Sequence, residues 1–216
     1  MDFSKKYHNA EFAQDYYSKH RSGFWRRLSN SLEQRIARKA LIKAGNPVSV
    51  LDIPCGAGRF WALLAENQSR KLYAMDNSQH MIDAALAGHE QAISDRFETQ
   101  QASAFEIPMT ENAVECVFSI RLLHHFGVHE DRLALLKEFS RVTSDSIVLS
   151  LWVEGNYQAW RRKRIEVYRK KRRYDNRFVI PVGLFEEEVA ESGLTIVAHF
   201  DLFPYLSMWR TYVLRK

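Results

Sequence analysis

The sequence predicts an α/β protein with a doubly wound, mostly parallel sheet that ends in an antiparallel β-hairpin. Three observations predict it. From position 48 to 153, short apolar runs alternate with amphipathic stretches, the pattern of strand–helix units laid side by side. The first apolar run passes directly into Gly56-Ala57-Gly58 and then into a helical stretch. Near the C-terminus, residues 194–203 and 209–214 read as two strands separated only by a short link containing Pro204. Strands so closely linked pair antiparallel, because a parallel pair needs roughly a dozen or more residues to cross over.

The elements follow in order. Residues 8–44 read as helical, with apolar and aromatic positions recurring at spacings of three and four among many charges, and Asn46-Pro47 closes that region. Residues 48–53 form the first strand, 59–66 a short helix and 71–75 the second strand. Ser78 is placed to cap a helix over 78–87. Residues 96–101 are a weaker third strand and 114–120 a fourth. A helix over 131–142 begins with Asp131 and has Arg141 near its end, which suits the helix dipole. Residues 146–153 are a fifth, strongly apolar strand. The hairpin completes seven.

The 216 residues, 46% hydrophobic and 26% charged, suffice for one buried core and are short for two full domains. With no repeat or Pro/Gly-rich linker, the expectation is a single domain over 1–216. No apolar run reaches the roughly eighteen residues of a transmembrane helix. The first ten residues are polar, unlike a secretory leader. Cys55 and Cys116 are too few and too far apart for a disulfide framework or a zinc pattern. A cytoplasmic location is the simplest setting. A net charge of +5 is too small to diagnose nucleic-acid binding, so the placement of the charge matters more than its sum.

Two motifs carry chemistry. Leu51-Asp52-Ile53-Pro54-Cys55-Gly56-Ala57-Gly58 takes an apolar strand through a carboxylate into a Gly-x-Gly turn. Glycines let the backbone pass close to a ligand. A dinucleotide site would read Gly-x-Gly-x-x-Gly, and Trp61 stands where the third glycine belongs. Asp52 suits a cationic ammonium or sulfonium better than a pyrophosphate. In the second motif, Leu72-Tyr73-Ala74-Met75-Asp76, an acid ends the second strand, where it can accept hydrogen bonds from ribose hydroxyls. Met81 is placed to cover one face of a ring.

With these motifs the chain resembles class I S-adenosylmethionine-dependent methyltransferases, in particular the small-molecule group called type 11. The resemblance covers about residues 48–153. Besides the first motif it rests on Asp76-Asn77-Ser78 with Met81, on Ala102-Ser103-Ala104-Phe105-Glu106-Ile107-Pro108, and on the segment from Val117 through Arg121 to His124-His125-Phe126. It implies a Rossmann-like doubly wound seven-stranded sheet, with S-adenosylmethionine as cofactor and S-adenosylhomocysteine as product. By position, Asp52, Pro54, Cys55, Gly56 and Gly58 would hold or admit the amino-acid end of the cofactor. Asp76 and Asn77 would take the ribose. Met81, Ser103, Ala104 and Phe105 would border the adenine, and Arg121 the methionine end. Ser103 stands where the family commonly has Asp; a hydroxyl can accept the same bond, more weakly. The implied division is a helical cap over 1–46, a cofactor-binding core over 47–153, a basic insertion and helix over 154–193 and the hairpin over 194–216.

His124 and His125 follow the fourth strand at the carboxyl edge, where open α/β sheets bind ligands, and are the candidates for a general base. With His129 they have no recognisable metal-ligand spacing, so no metal is expected. Cys55 reads as a small loop residue, although a helix N-terminus can activate a thiol. Between Trp160 and Arg177 the chain is dense in Arg and Lys, Arg161 to Arg164 and Arg169 to Arg173 among them. The plain reading is a solvated amphipathic helix with Ile165 and Val167-Tyr168 inward. The functional reading is a clamp for an anionic acceptor. The expected function is methyl transfer to a small-molecule or lipid-linked, anionic acceptor at oxygen or nitrogen. The alternatives are tRNA modification and a non-catalytic S-adenosylmethionine-binding regulatory module; the glycine spacing disfavours an NAD-dependent oxidoreductase.

Overall fold

The structure, a computed structural model, describes residues 24–168 and 177–216. The part of the expected helical cap (1–46) before residue 24 and the centre of the basic insertion lie outside the described residues. In chain order the elements are α1 (Phe24–Lys43), β1 (Ser49–Asp52), α2 (Trp61–Leu64), β2 (Lys71–Asp76), α3 (Gln79–Gly88), α4 (Gln91–Ser94), β3 (Phe97–Gln101), β4 (Val114–Ser119), a 3-10 turn (Leu123–His125), α5 (His129–Val142), β5 (Thr143–Trp152), α6 (Tyr157–Tyr168), α7 (Val182–Glu191), β6 (Thr195–Asp201) and β7 (Trp209–Arg215).

The strands form one seven-stranded sheet in the order β3-β2-β1-β4-β5-β7-β6. β1 to β5 run parallel, and β7 pairs antiparallel with both β5 and β6. The expected doubly wound sheet with its terminal hairpin is thus present. β1 is flanked by β2 and β4, so the winding reverses there and leaves a crevice at the carboxyl ends of these strands.

The central strands are buried on both faces, which explains their near-continuous apolar sequence. One face packs Leu51, Val117, Leu149 and Leu214 against Leu136 and Phe139 of α5 and Phe185 of α7. The other packs Val50, Phe118, Val148 and Val213 against Ala37, Ala40 and Leu41 of α1 and Trp61 of α2. α5 and α7 are joined by a buried ion pair. Glu188 accepts from Arg132 Nε at 3.0 Å and from its Nη2, and Arg132 Nη1 reaches the Phe126 carbonyl at 2.9 Å. Every charge there has a partner, as burial requires.

Several expectations need correction. The helix predicted over 59–66 shortens to Trp61–Leu64, and α5 starts two residues early, at His129. Ser78 occupies the N-cap position of α3 but makes no side-chain capping bond. α4 and the 3-10 turn were not expected. In α6, Ile165 is exposed rather than inward, and the Val167-Tyr168 side chains lie outside the described residues.

Candidate active site at the carboxyl edge

The loop after β1 is held between the two neighbouring strands. Ile53 N–H donates to the Phe118 carbonyl at 3.0 Å, and Cys55 N–H to that of Met75 at 2.8 Å; Pro54, between them, is half-buried. The two glycines of the turn do different work. Gly56 has φ +53° and open space where a Cβ would stand, so a ligand can approach its backbone. Gly58 has φ +71°, and a Cβ there would meet His89 Nε2 at 2.9 Å and Trp61 Cδ2 at 3.0 Å. It lets α2 and α3 close against the loop and does not face open space.

Two carboxylates flank this turn. Asp52 is 3% exposed and its Oδ2 has no hydrogen-bond partner. Burial pushes its carboxyl well above the usual carboxylate range, and the nearby Asp76 adds to that shift. Such an oxygen is costly to leave unpaired and invites a cationic ligand group. Asp76 accepts from Gly56 N–H through Oδ2 and from Ser78 N–H through Oδ1, both at 2.9 Å. A carboxylate offers about four lone-pair sites, so one such group can serve loop donors and ligand hydroxyls together. Burial, with the charges of Asp76 and Asp52, raises the Cys55 thiol; it is a small buried loop residue and not an activated nucleophile.

The other residues implied for the cofactor gather nearby. The Ala102 N–H donates to the Asp76 carbonyl at 3.0 Å, which ties the segment after β3 to the end of β2. In that segment Ser103 Oγ accepts from Phe105 N–H at 3.2 Å. Ala104 is half-buried, and Phe105 is exposed and edge-on to Phe126 at 5.1 Å. Met81 is buried on α3, and Asn77 is exposed with its carbonyl bonded to Gln101. The unpaired Asp52 oxygen, the open Gly56 and the tethered Asp76 make a set that fits a nucleoside carrying an ammonium group.

Arg121, implied for the methionine end, is held by an arrangement that sequence reading missed. Its backbone, at φ +68°, donates to Ser150 Oγ at 3.0 Å. Its guanidinium is bound to Glu33 of α1 and lies over the Trp209 ring at 4.6 Å. Glu33 also accepts from Arg59 at 2.9 Å, and Arg59 reaches Asn30 at 2.8 Å. One half-buried acid of α1 therefore joins the glycine loop to the loop after β4. Glu33 sits among many charges on a surface-like helix, so its sequence alone carries no such signal.

His124 is 2% exposed. It stacks on Trp152 at 4.8 Å and meets Trp209 edge-on at 4.9 Å, and its Nδ1 has no partner. Trp152 and Trp209 are cross-strand partners on β5 and β7, so their sequence separation hides their contact. Burial drives the His124 imidazole far below its ordinary value, and the positive charge of His125, Arg177, Arg121 and Arg162 adds to this. A ring that stays neutral so firmly is a poor proton acceptor. His125 lies 4.1 Å from it, ring to ring. His129 is elsewhere, bonded to Glu188 on α7 at 2.9 Å. The basic insertion leaves and rejoins the fold at this wall. Ile180 N–H donates to the Trp152 carbonyl, Phe178 N–H to that of His124, and Arg162 and Arg177 lie over the Trp152 ring at 5.0 and 5.9 Å.

Residues 50–146, the span that carries the glycine loop and both carboxylates, match the family model described as a methyltransferase domain. The chain carries a methyltransferase domain. The resemblance to class I S-adenosylmethionine-dependent methyltransferases rests on the same residues. Among curated proteins, a tRNA (carboxymethyluridine(34)-5-O)-methyltransferase of Mus musculus is 26% identical over 123 residues, which is 57% of this chain and 17% of that protein. The chain thus spans less than a fifth of that relative's length. Among solved structures, magnesium protoporphyrin IX methyltransferase of Synechocystis PCC 6803 with bound S-adenosylhomocysteine superposes with a TM-score of 0.78, at 14% identity over 98% of this chain and 97% of that one. The [4+2]-cyclase SpnF superposes with a TM-score of 0.67, at 13% identity over 85% and 81%. The fold therefore serves more than one chemistry.

Proposed function

We infer that this methyltransferase uses S-adenosylmethionine to methylate a small-molecule or lipid-linked acceptor through an anionic oxygen, most simply a carboxylate. The observation that carries this reading is the wall of His124, Trp152 and Trp209, with Arg121, Arg162 and Arg177 around it. Aromatic rings packed beside fixed cations suit a ring-bearing or unsaturated anion. The bound cofactor supplies a methyl group on a sulfonium, already a good leaving group. The protein's part is to align the acceptor, hold its charge and exclude water. An acceptor that is already an anion needs no base to remove a proton, which agrees with the suppressed basicity of His124. Asp52 would hold the ammonium of the cofactor, Asp76 its ribose, and the segment from Ser103 to Phe105 its adenine.

The mouse relative favours a second reading, tRNA modification, and its name places a carboxymethyl group on its nucleoside. Both readings share a carboxylate and differ in how it is carried. The test is transfer of labelled methyl from S-adenosylmethionine to pools of carboxylated metabolites, lipids and bulk tRNA. The proposal expects label in a carboxylate ester of the small or lipid fractions, lost by about tenfold or more in Arg162→Ala with Arg177→Ala, while S-adenosylhomocysteine affinity is kept. Label confined to tRNA, with binding that weakens steeply with salt, would transfer the function to the second reading.

A further inference from the structure

Among the described side chains of α6, most of the apolar ones are left out of the packing. From Tyr157 to Ile165 only Ala159 is buried and Arg162 half-covered, whereas Tyr157 and Trp160 are 53% and 52% exposed and Ile165 is also exposed. The turn at residues 203–206 behaves alike, with Phe203 exposed, Leu206 58% exposed and Tyr205 85% exposed. Tyr157 N–H donates to the Tyr205 carbonyl at 2.9 Å, and Gln158 N–H to that of Leu206 at 3.1 Å. These bonds fasten the turn to the start of α6 and bring the two apolar sets together. Tyr205 also has φ +63°, a conformation that bulky residues rarely adopt. The turn accepts that strain while it holds an aromatic ring in solvent.

Soluble proteins seldom gather such side chains without a partner. On this helix Arg161, Lys163 and Arg164 are exposed beside them, and the Arg164 guanidinium lies over the Trp160 ring at 4.4 Å. We propose that this face docks on an anionic lipid surface. Tyr157, Trp160, Tyr205 and Leu206 enter the headgroup boundary, and the three cations meet lipid phosphates. Interleaved cations, aromatic rings and aliphatic residues make this composition, which seats a helix in the interface plane without spanning it. No helix of the described residues is long and apolar enough to cross a membrane. RNA fits less well. Arg164 and Tyr157 crowd the Trp160 ring, where a base would stack, and Leu206 and Ile165 offer a phosphate backbone nothing. The same helix turns Arg162 inward over Trp152, so a docked surface lies beside the acceptor wall. The proposal stands on this surface alone and not on the identity of the acceptor.

The test uses the full chain with vesicles of phosphatidylcholine alone and of phosphatidylcholine with phosphatidylglycerol, read by co-sedimentation. We expect binding about tenfold or more tighter to the anionic vesicles, since each cation near such a surface contributes about fivefold. Trp160→Ser with Leu206→Ser, and separately Arg161→Gln with Lys163→Gln and Arg164→Gln, should each remove most of it. S-adenosylhomocysteine affinity, unchanged in both variants, reports an intact fold and separates a failure of docking from a failure of the methyltransferase reading. Equal binding to both vesicle types, no binding at all, or wild-type binding by folded variants overturns the proposal. So does a face that instead retains bulk tRNA, or that forms a dimer in solution which Trp160→Ser dissociates.

Discussion

Replacing Asp76 by Ala separates two roles that the structure gives one side chain. In the free protein its oxygens accept from Gly56 N–H and Ser78 N–H, both at 2.9 Å, and so shape the open turn. Removing the carboxylate leaves those two donors without it. With Gly56 able to reach water and Ser78 buried, the net loss is about 2 kcal/mol. For a chain of this length that lowers Tm by about 4–8 °C. With cofactor present, the ribose bonds to a charged acceptor are lost as well, about 1.5–3 kcal/mol, or roughly 10- to 150-fold in Kd. Thermal melting of the free protein reads the first effect, and calorimetric titration with S-adenosylhomocysteine reads the second. A folded variant with a lowered Tm but unchanged affinity would refute the ribose role and leave Asp76 as a loop tether only. Unchanged Tm with lost affinity would refute the tether.

Two further expectations follow from buried groups. Because burial raises the Asp52 carboxyl in the free fold, the folded state keeps that proton where the unfolded chain has lost it. Its contribution to stability is full below the ordinary carboxylate range and is lost as pH rises through the folded value. A bound ammonium favours the carboxylate, so cofactor affinity should rise with pH over the same window and flatten in Asp52→Asn; an equal slope in both proteins would contradict this. Removing Glu188 strands the Arg132 charge, which is 1% exposed, so Glu188→Ala should cost about 3–5 kcal/mol in chemical denaturation. A loss below about 1 kcal/mol would mean that water reaches the α5–α7 seam.

The fold was legible where sequence periodicity and chain connectivity decide it. The buried parallel strands show as apolar runs, and the short link at Pro204 fixes the hairpin's direction. Helix ends were less legible: Phe60 and Ala65 flank α2 with no side-chain cap, and Ser78 looks like a cap but does not act as one. Of the site, Asp52, Gly56 and Asp76 stand at strand ends, where the carbon backbone alone brings them together. The second half depends on contacts between distant segments. Glu33 meets Arg59 and Arg121 across helix and loop, and Trp152 meets Trp209 only through β5–β7 pairing. Ile165 was expected inward because amphipathic spacing marks an apolar face without saying what covers it.

The loop between β1 and α2, with Asp52 and Asp76, is the proposed seat of S-adenosylmethionine. Calorimetric titration of the full chain with S-adenosylmethionine and with S-adenosylhomocysteine tests it most directly. One-to-one binding in the micromolar range is expected, weakened in Asp52→Asn and in Asp76→Ala. A well-folded chain that binds neither compound would contradict it.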